Sequence, residues 1–388
     1  MTDRSATSTI LPGAWLGVFG GGQLGRMFTH AAQALGYRVA ILEPEEESPA
    51  GQAADRHFCE TTSKQSAEEL VDEMSQLCSV ITLEFENISA QLVQRASKRT
   101  LTRPGASFLE VCQNRIAEKS QLSRAGFPTT PFLPANSEAD VLVAAEQLGW
   151  PLVLKTARSG YDGKGQAIVR TADEVTAVWA NLETSEVIAE QWIDFLAEVS
   201  MIAARNASGN IECYPLLEND HAHHILDVTR CPASEALQKF ESQASEICHG
   251  IATEFDVVGL FCVEFFVTNG GQLMINEIAP RPHNSGHLTI EAFTCSQFEQ
   301  QVRAICNLPL IPADQLRPAA MANLLGDLWF TPLGRAEPNW EAVLQSPDAH
   351  LHLYGKSEPR PARKMGHLTS LHDDAACQVR QLRSRLSH

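Results

Sequence analysis

The sequence predicts an α/β fold at its N-terminus, with a parallel sheet covered on both faces, and a mixed α+β fold in the remainder. Apolar runs alternate with helical stretches over the first hundred residues, which is typical of a parallel sheet with helices on each side. Further along, two apolar runs flank Asn269-Gly270-Gly271, which indicates an antiparallel hairpin. The 388 residues are enough for two or three domains, each with its own core.

Three continuous apolar runs in the first hundred residues are predicted to be strands. They cover 15–20, 38–42 and 80–85, and the stretches 23–35 and 67–77 between them are predicted to be helices. Runs that are apolar throughout indicate strands buried on both faces. This order of elements predicts the parallel sheet.

The remaining elements are predicted from apolar runs and from glycine and proline signals. A helix is expected over 114–125, because Gly126 and Pro128 follow it as stop signals. The other expected elements are strands at 152–155, 167–169, 187–190, 198–203, 259–268, 272–278 and 350–354, and helices at 235–253 and 296–306.

The overall composition argues against several classes of function. Thirty basic residues against 47 acidic ones give a net charge of −17, whereas a nucleic-acid-binding protein needs a basic surface. We therefore expect no nucleic-acid partner. No apolar run approaches the length of a membrane span, and the N-terminal stretch lacks the apolar segment of a signal peptide. Ten scattered cysteines without a CxxC pair favour reduced thiols and a cytoplasmic location.

The first glycine-rich loop has three possible interpretations. Gly20, Gly22 and Gly25 follow a predicted strand and precede a predicted helix, and Glu43 stands at the end of the second strand. That context is typical of a dinucleotide site, in which the acidic residue binds a ribose. More broadly, the amides at the helix N-terminus are expected to bind some phosphate or carboxylate. A tight turn without a ligand is the third interpretation.

A second glycine-rich loop, GYDGKGQ at 160–166, joins two predicted strands and follows Lys155. Its three glycines and Lys164 favour a flexible flap whose amides face phosphates. It is not a Walker loop, because it has no GK[ST] sequence and no helix follows it. A surface hairpin turn is the alternative.

The predicted hairpin brings two acidic residues together. If Gly270-Gly271 is a two-residue turn, Glu264 lies directly opposite Glu277, about 5 Å away. If Asn269-Gly270 is the turn, Glu277 is diagonal to Glu264 but on the same face. A three-residue loop would break this relation unless a bulge restored it. Two carboxylates between apolar neighbours invite a shared proton or a cation, and oxygen ligands without His or Cys favour Mg²⁺ over Zn²⁺. A solvated charged pair is the alternative.

Four further segments carry polar groups. Arg281-Pro282-His283-Asn284 directly follows the acidic hairpin and suits an anionic substrate, or else is a capped loop before the next helix. The segment 190–193 (EQWI) suits a nucleobase and ribose, or else is simply the end of a strand. The third segment contains three histidines, His221, His223 and His224, which are more consistent with a solvated loop than with a zinc site. The fourth is a basic stretch that is either a phosphate contact or a solvated face; its residues are Lys356, Arg360, Arg363 and Lys364.

Segments from residue 20 to residue 369 together resemble the ATP-grasp superfamily and, within it, the 5-(carboxyamino)imidazole ribonucleotide synthase family. The most specific are GGGQLGRM at 20–27, GYDGKGQ at 160–166 and NEIAPRPHNSGH at 276–287. The others include TLEFENI at 82–88, NRIAEKSQLSRAGFPTTPF at 114–132, EQWIDFLAEVS at 190–200, YPLLENDHAHHIL at 214–226 and YGKSEPRPARKMGHLT at 354–369. Trp192 departs from the pattern, since relatives often have a smaller residue there.

The resemblance implies a three-part chain and a ligase reaction. An N-terminal preATP-grasp domain is expected at 1–112, an ATP-grasp domain at 113–308 with a lid subdomain at about 126–190, and a small β-rich C-terminal domain at 309–388. The implied reaction is the ATP- and bicarbonate-dependent carboxylation of 5-aminoimidazole ribonucleotide in purine synthesis, through carboxyphosphate. The family is typically homodimeric.

The resemblance also implies a role for individual residues. Contacts to ATP are expected from Arg115, Lys155, Gly160, Tyr161, Asp162, Gly163, Lys164, Gly165, Gln166, Glu190, Gln191, Trp192, Ile193, Glu198, His221, Asn276 and Glu277. Mg²⁺ is expected on Glu264 and Glu277. The ribonucleotide is expected at Gly22, Gln23, Leu24, Glu84, Lys356 and Arg363. The implied catalytic group is Asp162, Arg281, His283, Asn284 and Lys356, in which Arg281, His283 and Asn284 hold bicarbonate and carboxyphosphate.

Two alternative functions remain at this point. One is a sister ATP-grasp ligase, such as a formate-dependent glycinamide ribonucleotide transformylase. The other, from a different class, is a nicotinamide-dependent oxidoreductase that uses the GxGxxG loop and Glu43. The second alternative leaves the flap and the acidic hairpin without a role.

Overall fold

The structure is a computed structural model, and it describes residues 7–160 and 163–386. Two of the predicted site residues, Tyr161 and Asp162, lie outside the described residues. Within the described residues, no helix combines the length and the apolar character that crossing a membrane requires.

The N-terminal part is a five-stranded parallel sheet with helices on both faces, as predicted. Its strand order is β3-β2-β1-β4-β5. The strands are β1 (Trp15–Phe19), β2 (Arg38–Leu42), β3 (Arg56–Phe58), β4 (Val80–Leu83) and β5 (Leu101–Thr102). The helices are α1 (Gln23–Ala34), α2 (Glu60–Ser63), α3 (Ala67–Leu77), α4 (Ala90–Ser97) and α5 (Ala106–Cys112). The short edge strands β3 and β5 were not predicted, because two or three residues carry no periodic signal.

The next part is a four-stranded antiparallel sheet in the order β6-β9-β7-β8. It follows α6 (Arg115–Arg124), whose N-terminal amides are capped by the Asn114 side chain. The strands are β6 (Phe132–Ala135), β7 (Leu152–Thr156), β8 (Gln166–Val169) and β9 (Val187–Gln191), and the helices are α7 (Glu138–Leu148) and α8 (Val175–Asn181). The second glycine-rich loop therefore joins two paired strands, β7 and β8.

A nine-stranded antiparallel sheet forms the centre of the molecule. Its first six strands are β10 (Phe195–Arg205), β11 (Ile211–Cys213), β12 (Leu217–Ala222), β13 (Ile225–Cys231), β14 (Gly259–Thr268) and β15 (Leu273–Ala279). The helices of this part are α9 (Glu235–Gln238), α10 (Glu241–Glu254), α11 (Thr289–Ala292) and α12 (Gln297–Ile305).

The C-terminal part adds three strands to the same central sheet, so the sheet crosses the boundary predicted at residue 308. The sheet order is β15-β14-β10-β12-β13-β16-β20-β19, with β11 paired to β10. The C-terminal strands are β16 (Ala319–Leu325), β17 (Phe330–Thr331), β18 (Gly334–Arg335), β19 (Ala349–Leu353) and β20 (Lys364–Leu371), and the helices are α13 (Glu341–Leu344) and α14 (Ala375–Ser384). Strands β17 and β18 pair only with each other.

The single helix predicted at 235–253 is wrong, because the structure divides this stretch into α9 and α10. Leu237 and Phe240 both lie in the core, three residues apart. The N–H of Phe240 donates to the carbonyl of Leu237 at 3.0 Å, a tight bond that ends the first helix. Burial of both side chains therefore overrides the continuous helical pattern.

Of the loops considered for the β14–β15 hairpin, the structure has the three-residue loop with a bulge and neither of the two-residue turns. Thr268 donates its N–H to the carbonyl of Gln272 at 2.9 Å, so the loop has three residues, 269–271. The ladder then shifts by one residue between Glu264 and Phe265. Asn276 is the extra residue of this β-bulge, which restores the pairing of Glu264 with Glu277.

Helix α12 attaches the central sheet to the N-terminal part. Its residues Phe298, Val302 and Ile305 share one core cluster with Leu24 and Phe28 of α1. The side chain of Gln301 donates to the Thr82 hydroxyl at 3.0 Å. The ion pair between Arg281 and Glu86 likewise brings the segment after β15 against the N-terminal part.

Candidate active site

A cavity of about 580 Å³ lies between the four-stranded sheet and the central sheet. Strands β7, β8 and β9 form one wall, and β10, β12, β14 and β15 form the other. Most of the residues predicted to contact ATP line it: Arg115, Lys155, Gly163, Lys164, Gly165, Gln166, Glu190, Gln191, Trp192, Ile193, Glu198, His221, Asn276 and Glu277. Glu264, His283 and Asn284 line the same cavity, whereas Gly160 lies in a small crevice beside it.

Glu264 and Glu277 face each other at one end of the cavity. Glu264 Oε1 lies 2.7 Å from Nε2 of His283, and Glu277 Oε2 lies 2.5 Å from Nη1 of Arg115. Burial alone would raise the pKa of Glu264, but His283 lowers it to about 2. His283 thus holds Glu264 as a carboxylate, and Glu277 forms an ion pair with Arg115.

The acidic pair fits Mg²⁺ through its donor chemistry. Glu264 and Glu277 supply carboxylate oxygens, which hard cations prefer. Within the described residues, no group of three His, Cys, Asp or Glu side chains is arranged to hold a metal. A cation on two protein carboxylates completes its shell with water and substrate phosphate oxygens, which is the usual arrangement for Mg²⁺.

The bulge at Asn276 places two successive side chains in the cavity. In a regular strand Asn276 and Glu277 would point to opposite faces, but both line this cavity. The side-chain oxygen of Asn276 accepts a hydrogen bond from Nζ of Lys155 at 3.3 Å. The bulge therefore links the acidic pair to the lysine of the opposite sheet.

Glu190 lies between two lysines at the back of the cavity. Its carboxylate is 3.0 Å from Nζ of Lys155 and 3.6 Å from Nζ of Lys119. Burial alone would raise the pKa of Glu190, but Lys119 and Lys155 lower it to about 2. Lys119 lies within α6, is fully buried and was not predicted as a site residue. No spacing in the sequence connects it to Glu190.

The far end of the cavity is apolar and aromatic. The rings of Phe195 and Phe266 stack at 4.7 Å, and the apolar side chains of Val153, Ile168 and Leu226 also line the cavity. Such a surface suits a planar nucleobase. Phe195 and Phe266 were not predicted, because their partnership depends on the β10–β14 pairing.

Trp192 lies at the edge of this apolar end, 42% exposed. Its backbone N–H donates to the carbonyl of Pro151 at 3.2 Å. A contact between the backbone of Trp192 and adenine would therefore use the carbonyl oxygen.

The glycine flap packs against the turn between β12 and β13. A Cβ atom at Gly163 would lie 2.4 Å from the Cβ of His224, and Gly163 has a φ of +77°. Gln166 also lies within hydrogen-bond distance of the His224 ring, at 3.4 Å. His221, in contrast, pairs with Glu198 at 2.7 Å. Within the histidine run, His221 therefore belongs to the cavity wall, whereas His224 contacts the flap.

The segment after β15 presents three polar side chains. Arg281 is paired with Glu86, which was not predicted as a site residue. Burial alone would raise the pKa of Glu86, but Arg281 lowers it. Arg281 lines the small crevice beside the cavity. Both polar side-chain atoms of Asn284 are buried and have no hydrogen-bond partner among the described residues, so this amide is available to a ligand.

The N-terminal glycine loop surrounds carboxylates of the protein itself, which is contrary to the dinucleotide interpretation. Gly22 and Gly25 donate their N–H groups to Glu84 at 2.9 and 3.3 Å, and Gly21 donates to Glu43 at 2.7 Å. A Cβ at Gly22 would lie 2.7 Å from the Glu84 carboxylate. The glycines therefore make room for Glu84, where a dinucleotide site makes room for pyrophosphate.

Burial raises the pKa of Glu84, against the lowering effect of the amides of Gly22 and Gly25. Because Glu84 accepts the N–H of Gly22, that amide is already engaged. A phosphate at Gly22, Gln23 and Leu24 would share the start of α1 with this carboxylate.

Lys356 and Arg363 do not line the cavity. Nζ of Lys356 donates to the carbonyl of Lys364 at 2.7 Å, and Arg363 donates to the carbonyl of Glu358 at 2.7 Å. The neighbouring Gly355 accepts a hydrogen bond from the side chain of Gln52 at 3.1 Å. The segment therefore lies against the N-terminal part, on the side of α1.

Three protein-family models match consecutive parts of the chain. A ribonucleotide synthetase preATP-grasp domain matches residues 14–113, an ATP-grasp domain matches 120–298, and a phosphoribosylaminoimidazole carboxylase C-terminal domain matches 319–381. The predicted boundaries at 112 and 308 themselves stay predictions.

Known proteins and solved structures resemble the chain over almost its full length. N5-carboxyaminoimidazole ribonucleotide synthase of Bacillus subtilis is 38% identical over 93% of this chain and 92% of its own length. The Staphylococcus aureus enzyme in complex with ADP superposes with a TM-score of 0.89 at 36% identity, covering 98% of this chain and 99% of the other. The Aspergillus clavatus enzyme, in complex with ADP and 5-aminoimidazole ribonucleotide, gives 0.85 at 29% identity, with coverage of 98% and 99%. This chain therefore belongs to the N5-carboxyaminoimidazole ribonucleotide synthase family of the ATP-grasp superfamily.

Proposed function

We propose that the chain carboxylates 5-aminoimidazole ribonucleotide to N5-carboxyaminoimidazole ribonucleotide in de novo purine (IMP) synthesis, consuming ATP and bicarbonate and releasing ADP and phosphate. The observation that carries this proposal is the facing pair Glu264 and Glu277 in a cavity whose opposite wall bears Lys155. The Aspergillus clavatus relative binds ADP and the same ribonucleotide, which supports the choice of substrates.

ATP binding would use the two ends of the cavity differently. The base lies at the apolar end, near Phe266 and the backbone of 191–193. The phosphates lie near Lys155 and the flap, where the residues proposed are Gly160 to Gln166, Arg115 and Asn276. Bound on Glu264 and Glu277, Mg²⁺ would neutralise phosphate charge.

The first chemical step is attack by a bicarbonate oxygen on the γ-phosphorus of ATP. The bond to the β-phosphate oxygen breaks, so ADP and carboxyphosphate form. Lys155 offsets charge on the phosphate, and Arg281, His283 and Asn284 bind the bicarbonate and its phosphorylated product. Carboxyphosphate is unstable in water, so closure of the flap over it protects it.

The second step transfers the carboxyl group to the amine. Carboxyphosphate breaks down to CO₂ and phosphate, the 5-amino nitrogen attacks CO₂, and loss of a proton leaves the carbamate. We assign Asp162 to the orientation or deprotonation of the amine. Lys356 is proposed to reach the same ribonucleotide. Gly22, Gln23, Leu24, Glu84 and Arg363 hold the ribonucleotide in this proposal.

Further parts of the proposal concern the assembly of the chain and its setting. We infer a homodimer in the cytoplasm, with domains at 1–112, 113–308 and 309–388 and a lid at about 126–190. Sedimentation of the purified chain tests the dimer, and limited proteolysis tests the boundaries.

The test of the function is an ADP-release assay with 5-aminoimidazole ribonucleotide, with and without added bicarbonate, and with Mg²⁺ present or chelated. We expect ADP release to require the ribonucleotide, bicarbonate and Mg²⁺ together. Turnover with formate and glycinamide ribonucleotide instead would favour the sister ligase. Saturable binding of NADH, followed by its fluorescence, would favour the oxidoreductase.

A further inference from the structure

His283 is one end of a buried chain of hydrogen bonds that runs behind the active site. Its Nδ1 lies 2.8 Å from the hydroxyl of Ser285, which lies 2.8 Å from the hydroxyl of Ser200. The amide of Asn219 donates to Ser200 at 2.9 Å and accepts from the hydroxyl of Thr229 at 2.9 Å. The chain thus crosses from the segment after β15 through β10 and β12 to β13.

The members behind His283 are all inside the protein. Ser200, Thr229 and Ser285 are 0% exposed and Asn219 is 6% exposed. Polar groups at such depth cost stability unless they are hydrogen-bonded. An apolar set of side chains would fill the same space without that requirement, so the chain calls for a role beyond packing.

This chain of hydrogen bonds fixes the orientation of the His283 imidazole. Nδ1 of His283 bonds to Ser285, while Nε2 lies 2.7 Å from Glu264 at the cavity. A half-turn of the ring would carry carbon atoms to both positions. Because hydroxyls both donate and accept, Ser285 and Ser200 remain hydrogen-bonded whether the imidazole is neutral or protonated.

We propose that Ser200 and Asn219 are positioning residues, which act through Ser285 to hold Nε2 of His283 toward Glu264 and the bicarbonate site. Neither residue lines the cavity. The inference rests on the proposed function of His283. It predicts that a substitution which breaks this chain of hydrogen bonds weakens the use of bicarbonate. Binding of ATP at the other end of the cavity should be retained.

The test compares Ser200→Ala with a matched pair of isosteric variants, Thr229→Val and Thr369→Val. Both threonines are fully buried in the central sheet, but the Thr369 hydroxyl has no hydrogen-bond partner among the described residues. For Ser200→Ala we expect about a tenfold rise in the KM for bicarbonate. For Thr229→Val we expect a smaller rise, of about threefold. For Thr369→Val we expect no change, and for all three variants a KM for ATP within about twofold of the wild type.

A second measurement follows His283 directly and needs no turnover. The ¹⁵N resonances of the ring are assigned by their absence from His283→Gln, and we expect the Nδ1 resonance to move in Ser200→Ala and to stay in Thr369→Val. The proposal would be overturned if Ser200→Ala and Thr229→Val both left the KM for bicarbonate and the Nδ1 resonance unchanged. It would also be overturned if these variants lowered only kcat, in proportion to a fall in melting temperature. If the wild type itself shows no bicarbonate-dependent turnover, the proposed function fails, while the resonance still tests the orientation of the ring.

Discussion

Glu264 and Glu277 are directly opposed across β14 and β15, although the loop between these strands has the length that would ordinarily misalign them. The extra residue at Asn276 compensates for the loop. The same bulge adds an amide oxygen beside the acids, in contact with Lys155. One backbone irregularity therefore assembles three side chains that would handle the phosphates.

Removing one charge of the acidic pair should abolish turnover. For Glu277→Gln we expect ADP release to fall at least about a hundredfold, because the amide neither carries the charge nor holds Mg²⁺ well. The matched control is Glu254→Gln, on the exposed end of α10, which should retain wild-type turnover. Normal Mg²⁺ dependence in Glu277→Gln would remove this residue from the site.

Loss of the partner of Arg281 should weaken bicarbonate use. In Glu86→Gln the guanidinium loses a half-buried ionic contact while side-chain volume is kept. We expect about a tenfold rise in the KM for bicarbonate, with the KM for ATP within about twofold. Glu110→Gln, exposed on α5, is the control. Equal changes in both constants would show that Glu86 acts on the whole fold.

The flap should be sensitive to a single methyl group. Gly163→Ala places a Cβ against His224, and we expect turnover to drop about tenfold. Gly209→Ala is a matched control, since its φ of +89° imposes the same backbone strain and nothing lies within 4 Å of the new Cβ. His224 itself has a φ of +64°, so His224→Gly is compatible with its backbone and should partly rescue Gly163→Ala. Failure of that rescue would contradict the proposed contact.

Two buried histidines should each contribute a loss of stability on mild acidification. Burial lowers the pKa of His287 and of His367 well below 6.5, so the unfolded chain binds protons that the folded chain does not. The contribution is complete above about pH 6.5 and declines as the pH falls toward the lowered values, by up to about 1.4 kcal/mol per pH unit for each histidine.

Urea unfolding between about pH 6.5 and pH 5 measures this decline. His367→Gln should reduce its slope by about one proton. An unchanged slope in His367→Gln would mean that this imidazole is protonated in the fold.

The pairing of Glu264 with Glu277 was predicted for a two-residue turn, and the structure reaches it through the alternative, a three-residue loop with a bulge. The pattern of apolar neighbours around Glu264 and Glu277 predicted which face they share, and burial enforces that face. The exact turn was beyond reach, because a two-residue turn and a three-residue loop with a bulge give the same register. The break between α9 and α10 was missed for a similar reason, since it depends on where Leu237 and Phe240 find space in the core.

The linear pattern was sufficient for the parallel N-terminal sheet, the two glycine loops and the membership of most side chains in one cavity, because these depend on periodicity and on short motifs. It contained no sign of Glu86 beside Arg281, of Lys119 behind Glu190, or of Ser200 and Asn219 behind His283. Those partners are separated by many residues in the chain and meet only when strands and helices pack. Contacts of that kind are decided by three-dimensional proximity, which no local spacing encodes.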